Sequence, residues 1–88
     1  MIGGKRPTDL KKGYYVEPTI FDHVSPEMVI AREEIFGPVL AVIRAPKEKM
    51  VEIANDSRYG LAAGIFTNDL RKAHVVAAQL IADAVFIN

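Results

Sequence analysis

The sequence of 88 residues contains no cysteine and no tryptophan. The absence of cysteine excludes disulfides, thiolate metal sites and a cysteine nucleophile. It is compatible with a cytoplasmic protein, because disulfides are rare in the cytoplasm, and we expect a cytoplasmic location. No apolar run approaches the roughly 18 residues that a membrane-spanning helix requires. Residues 1–6 are not followed by the apolar segment of a signal peptide. We therefore expect no contact with a membrane.

The sequence also lacks an excess of either charge, because eleven basic residues balance eleven acidic ones. Nucleic-acid-binding proteins carry a basic stripe that neutralises phosphates, and no such stripe occurs here. The two histidines, His23 and His74, have no second histidine or converging carboxylate at ligand spacing. We expect neither a nucleic-acid partner nor a metal site.

The order of apolar and turn-forming segments predicts an α/β fold within one partial domain, residues 1–88. Residues 1–13 are rich in glycine, proline and lysine, which is typical of a loop. The pattern of apolar and turn-forming segments in residues 14–88 predicts the order strand, helix, strand, helix, strand, helix, strand. Their connections are long enough for parallel strands. We predict a partial three-layer α/β structure with a mostly parallel sheet; the strands lie at 14–21 with a break at Pro18, and at 39–43, 61–66 and 84–87.

Capping signals place the starts of the three helices. Ser25 and Pro26 predict a short helix that ends near Glu33, and Pro46 opens a second one. An asparagine and an aspartate before Leu70 predict the start of a longer helix. Its apolar positions recur at a spacing of three and four residues: Leu70, Ala73, Ala77, Leu80 and Ile81.

Four strands of buried type with only three helices leave a sheet face or edge poorly covered. Uncovered faces and edges favour association. The sequence therefore predicts a segment of a larger domain, which self-associates or docks onto other subunits.

Four motifs identify the family that the sequence resembles. Residues 31–40 read AREEIFGPVL, which is similar to a signature of NAD(P)-dependent aldehyde dehydrogenases. Residues 13–21 (GYYVEPTIF), 55–64 (NDSRYGLAAG) and 85–88 (VFIN) resemble further motifs of that family in the same order. The resemblance covers nearly the whole chain and implies a C-terminal-side segment of the catalytic domain.

The resemblance also implies where a cofactor would be contacted. Glu34, the second glutamate of the signature, is expected to accept hydrogen bonds from the nicotinamide ribose hydroxyls. Phe36 would pack beside the nicotinamide end, and Leu61 would approach the same ring. Taken without the motif, Glu34 would be a solvated carboxylate on a helix surface and Phe36 a core residue. The parent enzyme is expected to use NAD or NADP, and this chain alone to bind neither tightly.

No catalytic residue can be assigned within the chain. The family oxidises aldehydes to carboxylic acids through a cysteine that attacks the carbonyl, and this cysteine, the base and the main oxyanion donor lie outside the region that the chain resembles. The resemblance, together with the absence of cysteine, implies a fragment of such an oxidoreductase that is expected to be inactive alone. An interaction or oligomerisation module derived from the family is the alternative.

Overall fold

The computed structural model describes residues 1–88, and the chain divides into two compact units, Met1–Arg44 and Ala45–Asn88. Each unit contains one pair of parallel strands, and the segment between the two strands of each pair includes a helix. This arrangement confirms the predicted α/β class and the parallel pairing. The four strands form two separate two-stranded sheets.

In the first unit, strand β1 (Thr19–Phe21) pairs in parallel with strand β2 (Val39–Ala41), with Thr19 opposite Val39. Helix α1 (Val29–Arg32) lies between them in the sequence. On the other edge of β1, Ile2 and Ile20 exchange two backbone hydrogen bonds of 2.9 Å in an antiparallel bridge. The predicted loop 1–13 therefore contains one residue that joins the sheet.

The approach of Ile2 to β1 depends on a glycine. Gly3 has φ +80°, a conformation that residues with a side chain rarely adopt. A Cβ atom at this position would lie 1.9 Å from the carbonyl oxygen of Pro18. Only a residue without a side chain can follow Ile2 in this conformation.

The strand predicted at residues 14–21 is shorter than expected, because it begins only after Pro18. Tyr14 and Tyr15 are exposed and lie outside any strand. Proline has no N–H group, so it cannot donate to a strand ladder. The first ladder donor after it is Thr19, whose N–H donates to the carbonyl of Pro38 at 2.8 Å.

The first helix also begins later than predicted, at Val29 rather than at Pro26. The Ser25 hydroxyl donates to the carboxylate of Glu27, and the Ser25 carbonyl accepts from the N–H of Met28 at 3.0 Å. Both groups are therefore used within a turn instead of capping a helix. The serine side chain satisfies a local turn, which is a common alternative to a helix cap.

In the second unit, a 3₁₀ turn (Lys47–Lys49) follows Pro46 and leads into helix α2 (Met50–Asn55). Strand β3 (Ala62–Ile65) pairs in parallel with strand β4 (Ala84–Ile87), and helix α3 (Leu70–Ala77) connects them. The Asp69 carboxylate accepts from the backbone N–H of Lys72 at 2.9 Å. The predicted aspartate cap of this helix is confirmed.

Helix α3 ends at Ala77, so Leu80 and Ile81 lie outside it, contrary to the prediction. The side chain of Asn55 accounts for the early end. Its Nδ2 donates to the carbonyl of Gln79 at 2.8 Å, and its Oδ1 accepts from the N–H of Ile81 at 2.9 Å. Asp83, whose N–H would bond Gln79 in a longer helix, donates to Gly60 instead. Hydrogen bonds to residues distant in the sequence therefore occupy the backbone groups that a further turn of α3 would need.

Few side chains are buried. Thr19 and Val24 in the first unit and Ala73 in the second are below one tenth exposed, and no large side chain is fully buried. Many large apolar residues lie at the surface, as the sequence indicates for strands that the chain itself leaves uncovered. No helix in the structure has the length and apolar character needed to cross a membrane.

Candidate functional site

The residues of the AREEIFGPVL motif form the end of α1, an exposed connecting loop and the start of β2. The helix ends at Arg32, and Glu33 follows in an extended conformation with φ −104° and ψ 136°. Its N–H donates to the carbonyl of Val29 at 2.9 Å. Glu34 therefore lies beyond the helix. The interpretation of Glu34 as a solvated residue of a surface helix is wrong in placing it on a helix.

Two successive tight turns fix the backbone of this loop. The N–H of Gly37 donates to the carbonyl of Ile35, and the N–H of Val39 donates to the carbonyl of Gly37, both at 2.8 Å. Phe36 and Pro38 are the central residues of these three-residue turns. The carbonyl of Pro38 also accepts from Thr19 of β1. The Gly37–Pro38 pair thus shapes the backbone of the loop.

The loop presents two predicted site residues to solvent. The Phe36 side chain is 94% exposed, and Glu34 is exposed two residues before it. A carboxylate can accept hydrogen bonds from two neighbouring hydroxyl groups, and an aromatic ring offers a flat apolar face. The structure therefore brings together, in one loop, groups that suit a ligand with a diol and a planar ring. The reading of Phe36 as a core residue does not apply in this chain.

Leu61, the third predicted site residue, belongs to the second unit and precedes β3. Its side chain is 79% exposed. The neighbouring Gly60 carbonyl accepts from the N–H of Asp83 at 2.8 Å, which anchors the entry into the strand. The structure places Glu34 and Phe36 in the same loop, whereas the participation of Leu61 in that site stays a prediction.

A charged cluster at the ends of β1 and β2 was not predicted from the sequence. Arg44 donates through Nη2 to Asp22 Oδ2 at 2.7 Å and through Nε to Oδ1 at 3.4 Å. The backbone N–H of His23 donates to the same carboxylate at 2.8 Å, and His23 adopts a left-handed conformation with φ 57°. Opposite charges that follow two consecutive parallel strands were the signal in the sequence. The cluster fastens the two strand ends together.

The environment of Asp22 predicts a pH dependence. The Arg44 guanidinium and then the His23 N–H lower the pKa of the Asp22 carboxyl from 3.8 to about 2. Because this pKa lies below the unfolded value, the stabilisation is present above about pH 4 and is lost as the pH falls toward 2. We expect an NMR titration of the Asp22 carboxyl carbon to show a midpoint of about 2.

The Arg44→Met variant should return that midpoint toward about 4. Arg71→Met, which removes an exposed arginine of α3, is the matched control and should leave the midpoint unchanged. A midpoint near 4 in the unmodified chain would contradict the assignment of the ion pair.

Comparisons with known proteins agree with the motifs. The model of the aldehyde dehydrogenase family matches residues 1–88. The chloroplastic betaine aldehyde dehydrogenase of Beta vulgaris is 46% identical over 89 residues, which correspond to 100% of this chain and 18% of that protein. The peroxisomal aminoaldehyde dehydrogenase 1 of Pisum sativum is 47% identical over 89 residues, with the same coverage of 100% and 18%.

A solved structure supports the fold. The aldehyde dehydrogenase of Mycobacterium tuberculosis, in a crystal structure complexed with NAD+, matches with a TM-score of 0.91 and 44% identity. The match covers 97% of this chain and 18% of that one, so the chain spans about a fifth of its relatives' length. Since the family model and these relatives match it along nearly its whole length, the chain belongs to the aldehyde dehydrogenase family.

Proposed function

We propose that this chain forms part of the cofactor pocket of an NAD-dependent enzyme that oxidises an aldehyde to a carboxylic acid. The observation that carries the proposal is the loop of residues 33–38, which presents Glu34 and Phe36 to solvent on a backbone held by hydrogen bonds. NAD rather than NADP is favoured because the crystal structure of the Mycobacterium tuberculosis relative is described as an NAD+ complex.

Each of the three residues has a distinct task in this proposal. The Glu34 carboxylate accepts hydrogen bonds from the two hydroxyls of the nicotinamide ribose, as acidic residues do in other dinucleotide sites. Phe36 packs beside the nicotinamide ring, and Leu61 adds an apolar contact. Bound NAD supplies the hydride acceptor. The protein residues position the ring and exclude water from it, which raises the fraction of encounters that are productive.

The proposal predicts that the 88-residue chain alone does not oxidise aldehydes. The chain contains no cysteine that could attack an aldehyde carbonyl. Incubating the purified chain with betaine aldehyde and NAD or NADP should give no increase in absorbance at the wavelength of the reduced cofactor. Turnover above the rate without protein would contradict the proposal.

The role of Glu34 is best tested in a whole enzyme. We suggest a chimera in which this chain replaces the 89 matching residues of the Beta vulgaris betaine aldehyde dehydrogenase. Glu34→Ala should weaken NAD binding by about 10- to 100-fold, because hydrogen bonds to a charged acceptor contribute about 1.5–3 kcal/mol. The dissociation constant of NAD can be measured by isothermal titration calorimetry.

Glu33→Ala in the same chimera is the matched control, since it removes the adjacent carboxylate and the same charge. It should change NAD affinity by less than about twofold, as expected for an exposed charge without a ligand contact. Equal effects of the two substitutions would contradict a specific contact by Glu34.

We propose an interaction module as the second candidate function, favoured by the exposure of apolar residues such as Phe66 and Phe86. In this case the chain docks onto aldehyde dehydrogenase subunits or associates with itself. Light scattering of the chain, alone and mixed with the Beta vulgaris enzyme, would test it. A folded monomer that does not co-elute with the enzyme would contradict it.

A cytoplasmic location also stays a prediction, as relatives include chloroplastic and peroxisomal proteins.

A further inference from the structure

The second unit contains a groove that is lined by residues of α2, of α3 and of the end of β3. Its volume is about 320 Å³, which lies within the range of small-molecule sites, roughly 300–1,000 Å³. Phe66 and Thr67, which follow β3 directly, line the groove at the carboxyl end of that strand. Ligands of α/β proteins bind in crevices at the carboxyl ends of parallel strands. The groove therefore has the size and the position of a site for a small ligand.

The walls of the groove are apolar. Met50 and Ala54 stand four residues apart in α2, so both lie on the same side of that helix. Lys72 and Val76 have the same spacing in α3. The other aliphatic residues of the lining are Val51, Ile65 and Leu80. These walls suit the hydrocarbon part of a ligand.

Lys72 is the one charged residue of the lining. Its side chain is partly buried, and its ammonium group makes no hydrogen bond or ion pair. The carboxylate of Asp69 accepts from the backbone N–H of Lys72, not from the ammonium group. The Thr67 hydroxyl oxygen accepts from the N–H of Asp69 at 3.2 Å, which leaves the hydroxyl hydrogen available to donate. The groove thus combines one positive charge and one hydroxyl donor with apolar walls.

We propose that this groove binds an apolar carboxylate of the medium-chain fatty acid type. The carboxylate lies at Lys72 and Thr67, and the hydrocarbon chain follows the apolar walls. An ammonium group that is partly withdrawn from water gains most from an anionic partner. A neutral ligand leaves this group unpaired, and an inorganic anion has no apolar part for the walls. The inference does not depend on the proposed function, since the loop of residues 33–38 belongs to the other unit.

Isothermal titration calorimetry of the 88-residue chain with octanoate and with 1-octanol tests the role of the charge. We expect octanoate to bind about tenfold more tightly, because a hydrogen bond that involves charged groups is stronger than a neutral one. Hexanoate should bind about 15-fold more weakly than octanoate, at about fourfold for each methylene group that is buried. Equal affinities for octanoate and 1-octanol, or no binding of octanoate, would overturn the proposal.

The Lys72→Gln variant isolates the contribution of the ammonium group. It should weaken octanoate binding by about tenfold and change the affinity for 1-octanol by less than about twofold. Arg71→Gln is the matched control, because it removes the same charge from a neighbouring residue of α3 that does not line the groove. Equal losses of octanoate affinity in the two variants would show a response to net charge alone and would overturn the proposal.

Methyl NMR spectra of the unmodified chain locate the bound octanoate, and they give a readout even if Lys72→Gln does not fold. The methyl shifts of Val51, Val76 and Leu80 should change on addition of octanoate, because these residues line the groove. Those of Val29, a 73% exposed residue of the first unit, should not change. Changes of equal size at Val29 would show unspecific apolar binding and would overturn the proposal. Changes at the groove that grow with chain concentration without octanoate would also overturn it, in favour of a second copy.

Discussion

Replacing Ala73 with aspartate is expected to unfold the second unit. The Ala73 side chain is 1% exposed, on the helix that packs against β4. An unpaired charge at a buried position costs about 3–5 kcal/mol, which approaches the whole stability of a small domain. Loss of amide dispersion for residues 45–88 in an NMR spectrum, together with loss of helical circular dichroism, would report this unfolding.

Val75→Asp is the matched control for this prediction. It introduces the same charge on the same helix, but the Val75 side chain is 53% exposed. Its effect on the free energy of unfolding should stay within about 1 kcal/mol, as is usual for surface positions. If the Ala73→Asp and Val75→Asp variants have the same free energy of unfolding, α3 does not pack on the sheet in solution.

The second large effect is expected from Asn55→Ala. This substitution removes both side-chain hydrogen bonds that tie α2 to the segment after α3. With about 1 kcal/mol for each bond, the free energy of unfolding should fall by about 2 kcal/mol. For a domain of this size the midpoint of thermal unfolding would drop by roughly 10 °C, which circular dichroism can measure.

Two further variants distinguish the loss of the Asn55 hydrogen bonds from the general effect of replacing an asparagine in this unit. Asn68→Ala changes an exposed asparagine of the same unit that takes part in neither bond, and it should lower the midpoint by no more than about 3 °C. Asn55→Asp keeps the acceptor for Ile81 but sets a carboxylate oxygen against the Gln79 carbonyl, so its effect should be at least as large as that of Asn55→Ala. Equal midpoints for Asn55→Ala and Asn68→Ala would contradict the role of Asn55.

The elements that were predicted well are those fixed by local chemistry. Residues 84–87 form a strand because a short run of alanine, β-branched and aromatic residues follows a bend at residues 82–83. The start of α3 followed from the ability of Asp69 to accept a backbone hydrogen bond within its own turn. Such preferences involve atoms only a few residues apart, so the sequence itself contains them.

The errors arose where distant groups compete for the same backbone atoms. The periodicity of the apolar residues continues past Ala77, yet Asn55 and Gly60 bind the groups that would extend the helix. Their distance along the chain, more than 20 residues, hides this competition from a reading of local patterns. The ion pair of Asp22 and Arg44 was missed for the same reason, as it depends on the register of two strands.

The candidate site was predictable only through its motif. Glu34 and Phe36 have no local feature that separates them from an ordinary surface acid and an ordinary apolar residue. The structure adds that both side chains extend from a loop with a defined backbone, which composition alone does not indicate. The contribution of Leu61 depends on an arrangement of two separate units, so neither periodicity nor residue type could establish it.

The bridge between Ile2 and Ile20 has a consequence for how the first sheet can grow. A strand has two hydrogen-bonding edges. In β1, one edge pairs with β2 and the other pairs with Ile2. Any additional strand must therefore join at the outer side of β2, which gives the sheet a single direction of extension. A bulkier residue at Gly3 would release the segment that blocks the other side, and the sheet would then be open to unwanted pairing at both ends.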